Sequence, residues 1–205
     1  MLTYRNDTPG WNRENRKFGL TVGLYPGLDM SMGSAKAAGE LIREYFDRYG
    51  PASMRDAMWW SGLSRSAIAT AMSESSRRFV AVHTPWCQSP LYMYHDRHDK
   101  FRDETSRSPV STLNFLAHED VALKAYFESR VRYLGKLSPR SVFNQIGEAL
   151  PTIMYRGQVV GTWAWDVSRM TVKCVLIRGY GSLELGKEVR RRSQALSETL
   201  RLRWV

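Results

Sequence analysis

Tyr49-Gly50-Pro51-Ala52-Ser53-Met54-Arg55-Asp56-Ala57-Met58-Trp59-Trp60-Ser61-Gly62-Leu63-Ser64 lies at the centre of the stretch 34–96, and its punctuation decides the fold. Upstream, Ala37, Ala38, Leu41, Ile42, Tyr45 and Phe46 recur at helical spacing. Gly50 suits the end of that helix and Pro51 forbids its continuation. Ser53 and Asp56 form a capping-box-like start, with Asp in place of the usual Glu, before Met58-Trp59-Trp60. Ser61-Gly62-Leu63-Ser64 reads as a turn with a new N-cap, and Ala67, Ile68, Ala71 and Met72 give a third helix one buried face. Two β-like runs follow, 78–84 and 91–95, joined by Pro85-Trp86-Cys87-Gln88-Ser89-Pro90. Three short helices and a β-hairpin in that order predict a winged helix over 34–96, a shape most often used to bind DNA.

The bulk numbers agree with a globular protein of one large domain or two small ones: 205 residues, 43% hydrophobic and 24% charged. Thirty Lys and Arg against twenty Asp and Glu leave a net charge of +10, which favours a polyanionic partner, DNA before RNA. Cys87 and Cys174 stand far apart with no ligand spacing and read as reduced thiols. No apolar run approaches membrane-spanning length, and 1–17 is polar rather than signal-like. The expectation is a cytoplasmic protein with no membrane partner.

Working outward, 1–33 reads as an extended lead-in with a strand over 17–25. The charged, Ser/Thr-rich segment 97–110 reads as a loop. The remainder, 111–205, reads as a short strand at 113–117, a helix over 120–133, a three-stranded meander from 152 to 177, and an amphipathic helix over 182–202. In the meander Gly161, Trp163 and Trp165 share one face, and Val160, Thr162 and Ala164 the other. In the last helix Leu185, Val189, Leu196 and Leu200 face inward, with Arg190, Arg191 and Arg192 on the rim. The fold class is α+β: a winged helix followed by a small β-meander or barrel-like region with a C-terminal helix.

The third helix is the natural groove reader. Arg65, Ser66 and Thr70 face outward on it, and Arg77 and Arg78 lie beside the hairpin. Lys124, Arg130 and Arg132 add a second cationic stretch, and Trp163 is a candidate wedge against unstacked bases. Each has a plainer alternative: a solvated charged face, or a tryptophan that fills a core. His118, Glu119 and Asp120 form the one compact acid–base cluster. Glu119 and Asp120 suit a helix cap favoured by the dipole; the alternative is a water-activating role in hydrolysis. No zinc spacing, phosphate-cradling loop or dinucleotide fingerprint is present, so neither metal nor cofactor is expected.

Three blocks carry a resemblance. They are Tyr49-Gly50-Pro51-Ala52-Ser53 with Asp56 and Trp59-Trp60-Ser61-Gly62-Leu63; Leu116-Ala117-His118-Glu119-Asp120-Val121-Ala122-Leu123-Lys124-Ala125-Tyr126; and Leu150-Pro151-Thr152 with Gly157-Gln158-Val159-Val160-Gly161-Thr162-Trp163. In this order they resemble the winged-helix DNA-binding family of the interstrand-crosslink and alkylation-repair DNA glycosylases. Some bacteria, antibiotic producers among them, use such enzymes for self-protection against DNA-alkylating compounds. The resemblance implies tandem winged helices around a barrel-like region, gripping duplex DNA and excising an alkylated purine. Family glycosylases carry a catalytic Gln-x-Gln or Gln-x-Asp motif in their N-terminal half. Gln88, Gln145, Gln158 and Gln194 stand in no such pattern, so no catalytic residue carries across.

The reading is therefore a protein that binds double-stranded DNA in the setting of alkylation repair or self-resistance. It is expected to lack the complete glycosylase machinery, with a protein partner supplying the missing N-terminal functions. Two alternatives stay open. One is an active glycosylase using His118, Glu119 or Asp120; the other is a scaffold or biosynthetic role without DNA.

Overall fold

The computed structural model describes residues 2–6, 16–104, 112–135 and 137–202. Strand β1 (Leu2–Asn6) pairs antiparallel with β2 (Arg16–Leu20), Leu2 opposite Leu20 and Asn6 opposite Arg16. The strand expected over 17–25 ends early. Its pairing stops at Leu20, and the backbone then closes a single helical turn, α1 (Thr21–Leu24), with the Tyr25 N–H on the Thr21 carbonyl.

Helix α2 (Ser34–Tyr49) buries Ile42, Tyr45 and Phe46 and ends at Gly50. A Cβ at Gly50 would lie 2.6 Å from the Phe46 carbonyl oxygen, so only glycine fits this close turn. Strand β3 (Ala52–Ser53), α3 (Met54–Ser61), α4 (Arg65–Ser73), β4 (Phe79–Thr84) and β5 (Cys87–Tyr94) follow. The capping box forms as read: the Asp56 N–H donates to Ser53 Oγ at 3.1 Å, and the Ser53 N–H donates to Asp56 Oδ2 at 2.9 Å. Gly62 in the left-handed region (φ 71°) ends α3, and Ser64 caps α4. The sheet order is β3-β5-β4, all antiparallel. Ile42, Tyr45, Phe46, Ala57, Ile68 and Tyr94 form the core beneath it.

Residues 97–104, expected as loop, belong to helix α5 (His95–Glu104). An i,i+4 contact of 2.9 Å from His95 Nδ1 to Asp99 Oδ2 supports its first turn, and the His95 N–H donates to the Arg78 carbonyl. The rest of the expected loop, 105–110, lies outside the described residues.

A four-stranded antiparallel sheet follows, of order β6-β7-β8-β9, built from β6 (Leu113–Leu116), β7 (Thr152–Tyr155), β8 (Gln158–Asp166) and β9 (Thr171–Leu176). The expected helix over 120–133 is instead two single turns, α6 (Val121–Lys124) and α7 (Val131–Leu134). The reason is a competing acceptor: the N–H groups of Phe127, Glu128 and Ser129 all donate to Asp56 Oδ1 and so leave the helical ladder. Helix α8 (Leu183–Arg201) covers the sheet with Leu185, Val189 and Leu200, while Leu196 is only half-buried. Helices and antiparallel sheets together make an α+β chain.

The clean alternation expected along β8 is broken by a register shift between Ile153 and Met154 of its partner β7. Val160 is the extra residue, without a partner on β7 between Val159 and Gly161, and both valines are buried, in different apolar clusters. Gly161 follows, and a Cβ there would sit 2.6 Å from the Val175 carbonyl oxygen of β9. Gly161→Ala must push the two strands apart and is expected to lower stability by about 1–3 kcal/mol, read as a lower urea midpoint.

Candidate nucleic-acid interface

The structure divides the expected DNA-contacting residues into two groups. Arg65, Ser66 and Thr70 are exposed along α4, and Arg78 is exposed between α4 and β4. Ser64 Oγ caps the helix and also lies 3.0 Å from Ser66 Oγ, fixing the first turn. Neither the Arg65 nor the Arg78 guanidinium is drawn into an ion pair among the described residues. Their charge faces solvent.

The other group is half-buried and engaged by neighbouring residues. Arg77 donates to Asp47 at 2.6 Å and to both Asp96 oxygens at 2.9 Å, and lies 3.7 Å from the Tyr94 ring centroid. Lys124 pairs with Glu119 at 2.8 Å and donates to the Gly147 carbonyl at 3.3 Å. Arg130 stacks over Phe143 at 4.2 Å and Phe127 at 5.1 Å, and desolvation holds its basicity below the usual guanidinium value. Arg132 lies over Tyr126 at 4.3 Å and Tyr133 at 4.6 Å and reaches the Pro51 carbonyl. Trp163 donates from its indole to the Leu116 carbonyl at 2.8 Å and packs on the cluster that contains Leu113, Ile153 and Val160. These five residues tie elements together.

The Asp47–Arg77–Asp96 group also predicts a pH dependence. The hydrogen bond from Arg77 holds the Asp47 carboxyl below its usual value, against a smaller opposing effect of burial. A carboxyl acidified in the folded state adds stability that is complete above its unfolded value, about pH 4, and is lost as pH falls through the lowered folded value. Asp47→Asn is therefore expected to flatten the acid limb of a stability-versus-pH curve, by less than about 1 kcal/mol because solvent reaches the pair.

The acid–base cluster is likewise engaged. Glu119 sits in the left-handed region at φ 59°, a conformation uncommon for a side-chain-bearing residue. A two-point clamp holds it there: its N–H donates to the Ala149 carbonyl at 2.9 Å, and its Oε1 accepts the Ala149 N–H at 2.5 Å. Oε2 takes the Lys124 ammonium. Burial would raise the Glu119 pKa, but the hydrogen bonds from Lys124 and Ala149 outweigh it and hold the group ionised below its usual value. Asp120 caps α6 by accepting the Ala122 N–H at 2.9 Å. His118 is half-exposed, 3.6 Å from Glu148 Oε2.

Sequence reasoning missed two features. Asp56 is fully buried yet gathers four backbone N–H groups, three of them from 127–129. The capping-box spacing pointed to one of those bonds; the others join residues more than seventy positions apart and leave no local trace. The second is an exposed aromatic pair, Trp59 with Phe127, flanked by Arg55. The double tryptophan was its only local signal.

Comparison with known proteins supplies the class of the chain. The fold is shared with the solved structure of the Streptomyces sahachiroi DNA glycosylase AlkZ, at TM-score 0.65 and 17% identity over 88% of this chain. The chain spans about half of that structure, 47% of its length. The family model described as "DNA glycosylase AlkZ-like" matches residues 2–200, and the chain belongs to that family. No curated protein matches it. None of the helices among the described residues is long and apolar enough to cross a membrane.

Proposed function

We propose that the chain is a duplex-DNA-binding protein of alkylation repair or self-resistance, with 34–96 acting as a winged helix and α4 as its DNA-facing helix. The α2–β3–α3–α4–β4–β5 order supports that reading, with β4 and β5 as the wing. One observation carries it: on and beside α4, Arg65, Ser66, Thr70 and Arg78 are exposed, whereas Arg77, Lys124, Arg130, Arg132 and Trp163 are engaged in the fold. Small side chains between the two arginines allow a phosphate backbone to approach closely.

Base excision by the chain alone is not part of the proposal. Glu119 is held by the Lys124 ammonium and the Ala149 N–H, and one oxygen of Asp120 caps α6, so both carboxylates already serve the fold. The hydrolytic groups would come from a partner protein. The test is a mobility assay at low salt with a mixed-sequence duplex, followed by incubation with alkylated duplex and heating in alkali. Retarded duplex without new strand breaks is expected. Free duplex at every protein concentration refutes DNA binding. Breaks at purines that vanish in Asp120→Asn would make the chain a glycosylase in its own right.

A further inference from the structure

Helix α3 leaves a large ring uncovered beside α4. Trp59 is 37% exposed and Phe127, in the turn after α6, is 38% exposed. Their ring planes differ by 23° with centroids 6.2 Å apart, so the two present nearly parallel aromatic faces. With Met58, Leu63 and Arg55 they wall an open cleft of about 260 Å³. Three cations lie against its two rings: the Arg55 and Arg130 guanidinium carbons are 5.4 and 5.1 Å from the Phe127 centroid, and Lys124 Nζ is 5.4 Å from a Trp59 ring. The facing carboxylates are Glu128, 3.5 Å from Arg55, and Glu119, 2.8 Å from Lys124. A small adjoining cavity is lined by Arg55, Arg65 and Glu128, so the cleft opens next to the N-terminus of α4.

Exposed aromatic rings of this kind are normally loose, but Phe127 is fixed. Its N–H is held by Asp56 Oδ1 at 2.7 Å, and its ring packs beside Trp59 and the guanidinium groups of Arg55 and Arg130. A rigid aromatic wall with positive charge around it complements a flat π-ring attached to an anionic backbone.

We propose that this cleft receives one unstacked nucleobase of a DNA strand, its face against Trp59 and Phe127 and its flanking phosphates on Arg55 and Arg65. Apart from Arg55, which is assigned to a phosphate, the walls offer ring faces and aliphatic or thioether groups, so any of the four bases is accepted. The proposal rests on the DNA-binding reading above and adds to it a preference for DNA with an unpaired base.

The test measures fluorescence anisotropy of two labelled duplexes, one fully paired and one carrying a single extrahelical thymine. The wild type is expected to bind the bulged duplex about tenfold more tightly. Trp59→Leu and Phe127→Leu keep an apolar group but remove the ring; each should erase that preference while paired-duplex affinity stays within about twofold. Trp59→Phe should retain it. Unfolding midpoints confirm that the variants fold, and Phe127→Leu decides the matter if Trp59→Leu does not. Equal binding of both duplexes, or a preference that survives in Phe127→Leu, overturns the cleft and leaves duplex binding standing. Binding of neither duplex overturns both.

Discussion

Asp56→Ala is expected to destabilise the protein by about 3–5 kcal/mol, a large part of the stability of a domain this size. Asp56 is fully buried. Its Oδ1 accepts the N–H groups of Phe127, Glu128 and Ser129 at 2.7, 2.6 and 3.1 Å, and its Oδ2 accepts that of Ser53 at 2.9 Å. Alanine leaves four backbone donors without their acceptor, each orphaned buried group costing about 1–3 kcal/mol before water and relaxation recover part of it. Asn is not a neutral replacement: one oxygen remains, but its NH2 faces N–H donors, so Asp56→Asn should lie between wild type and alanine. Urea unfolding measures both. Loss of the bonds should also speed hydrogen exchange at Phe127, Glu128 and Ser129 ahead of the core of α2. A variant within about 1 kcal/mol of wild type would mean that the carboxylate does not hold the two regions together.

The second large effect is on DNA. Arg65→Ala and Arg78→Ala are each expected to weaken binding to a paired duplex about tenfold, and together about a hundredfold, since each removes a charge-assisted contact and the side chains are treated as independent. Each should also make the plot of log affinity against log salt shallower by about one unit, the mark of a lost phosphate contact. Arg77→Ala provides the contrast. Its guanidinium bonds to Asp47 and Asp96, so the variant should lose stability while the salt slope stays unchanged.

The residues explain why the helical half was more legible than the sheet half. Gly50, Pro51, Ser53, Asp56, Gly62 and Ser64 act on their immediate neighbours, and α2, α3 and α4 stop and start where these residues place them. The two turns α6 and α7 carry the apolar spacing of one helix, and the acceptor that breaks it, Asp56, is distant in sequence. The β8 bulge was invisible for a similar reason: Val159-Val160-Gly161 alternates with its neighbours until the register against β7 shifts. Helix α5 was hidden by a highly charged composition that lacks an apolar stripe.

The candidate site shows the same division. Exposure of Arg65, Ser66 and Thr70 followed from helical phase alone. That Arg77, Lys124, Arg130 and Arg132 are held by carboxylates, carbonyls and aromatic rings depends on which segments meet, and composition cannot report it. Trp59 and Phe127 lie on the surface together only because the turn after α6 docks on α3.

The most direct measurement is a map of backbone amide shifts as a short paired duplex is added to isotopically labelled protein. Shifts concentrated at Ser64, Arg65, Ser66, Thr70 and Arg78, with His118, Glu119 and Asp120 unmoved, are the predicted result. A map that leaves α4 silent and lights the β6–β9 sheet or α8 would contradict the claim that α4 faces DNA.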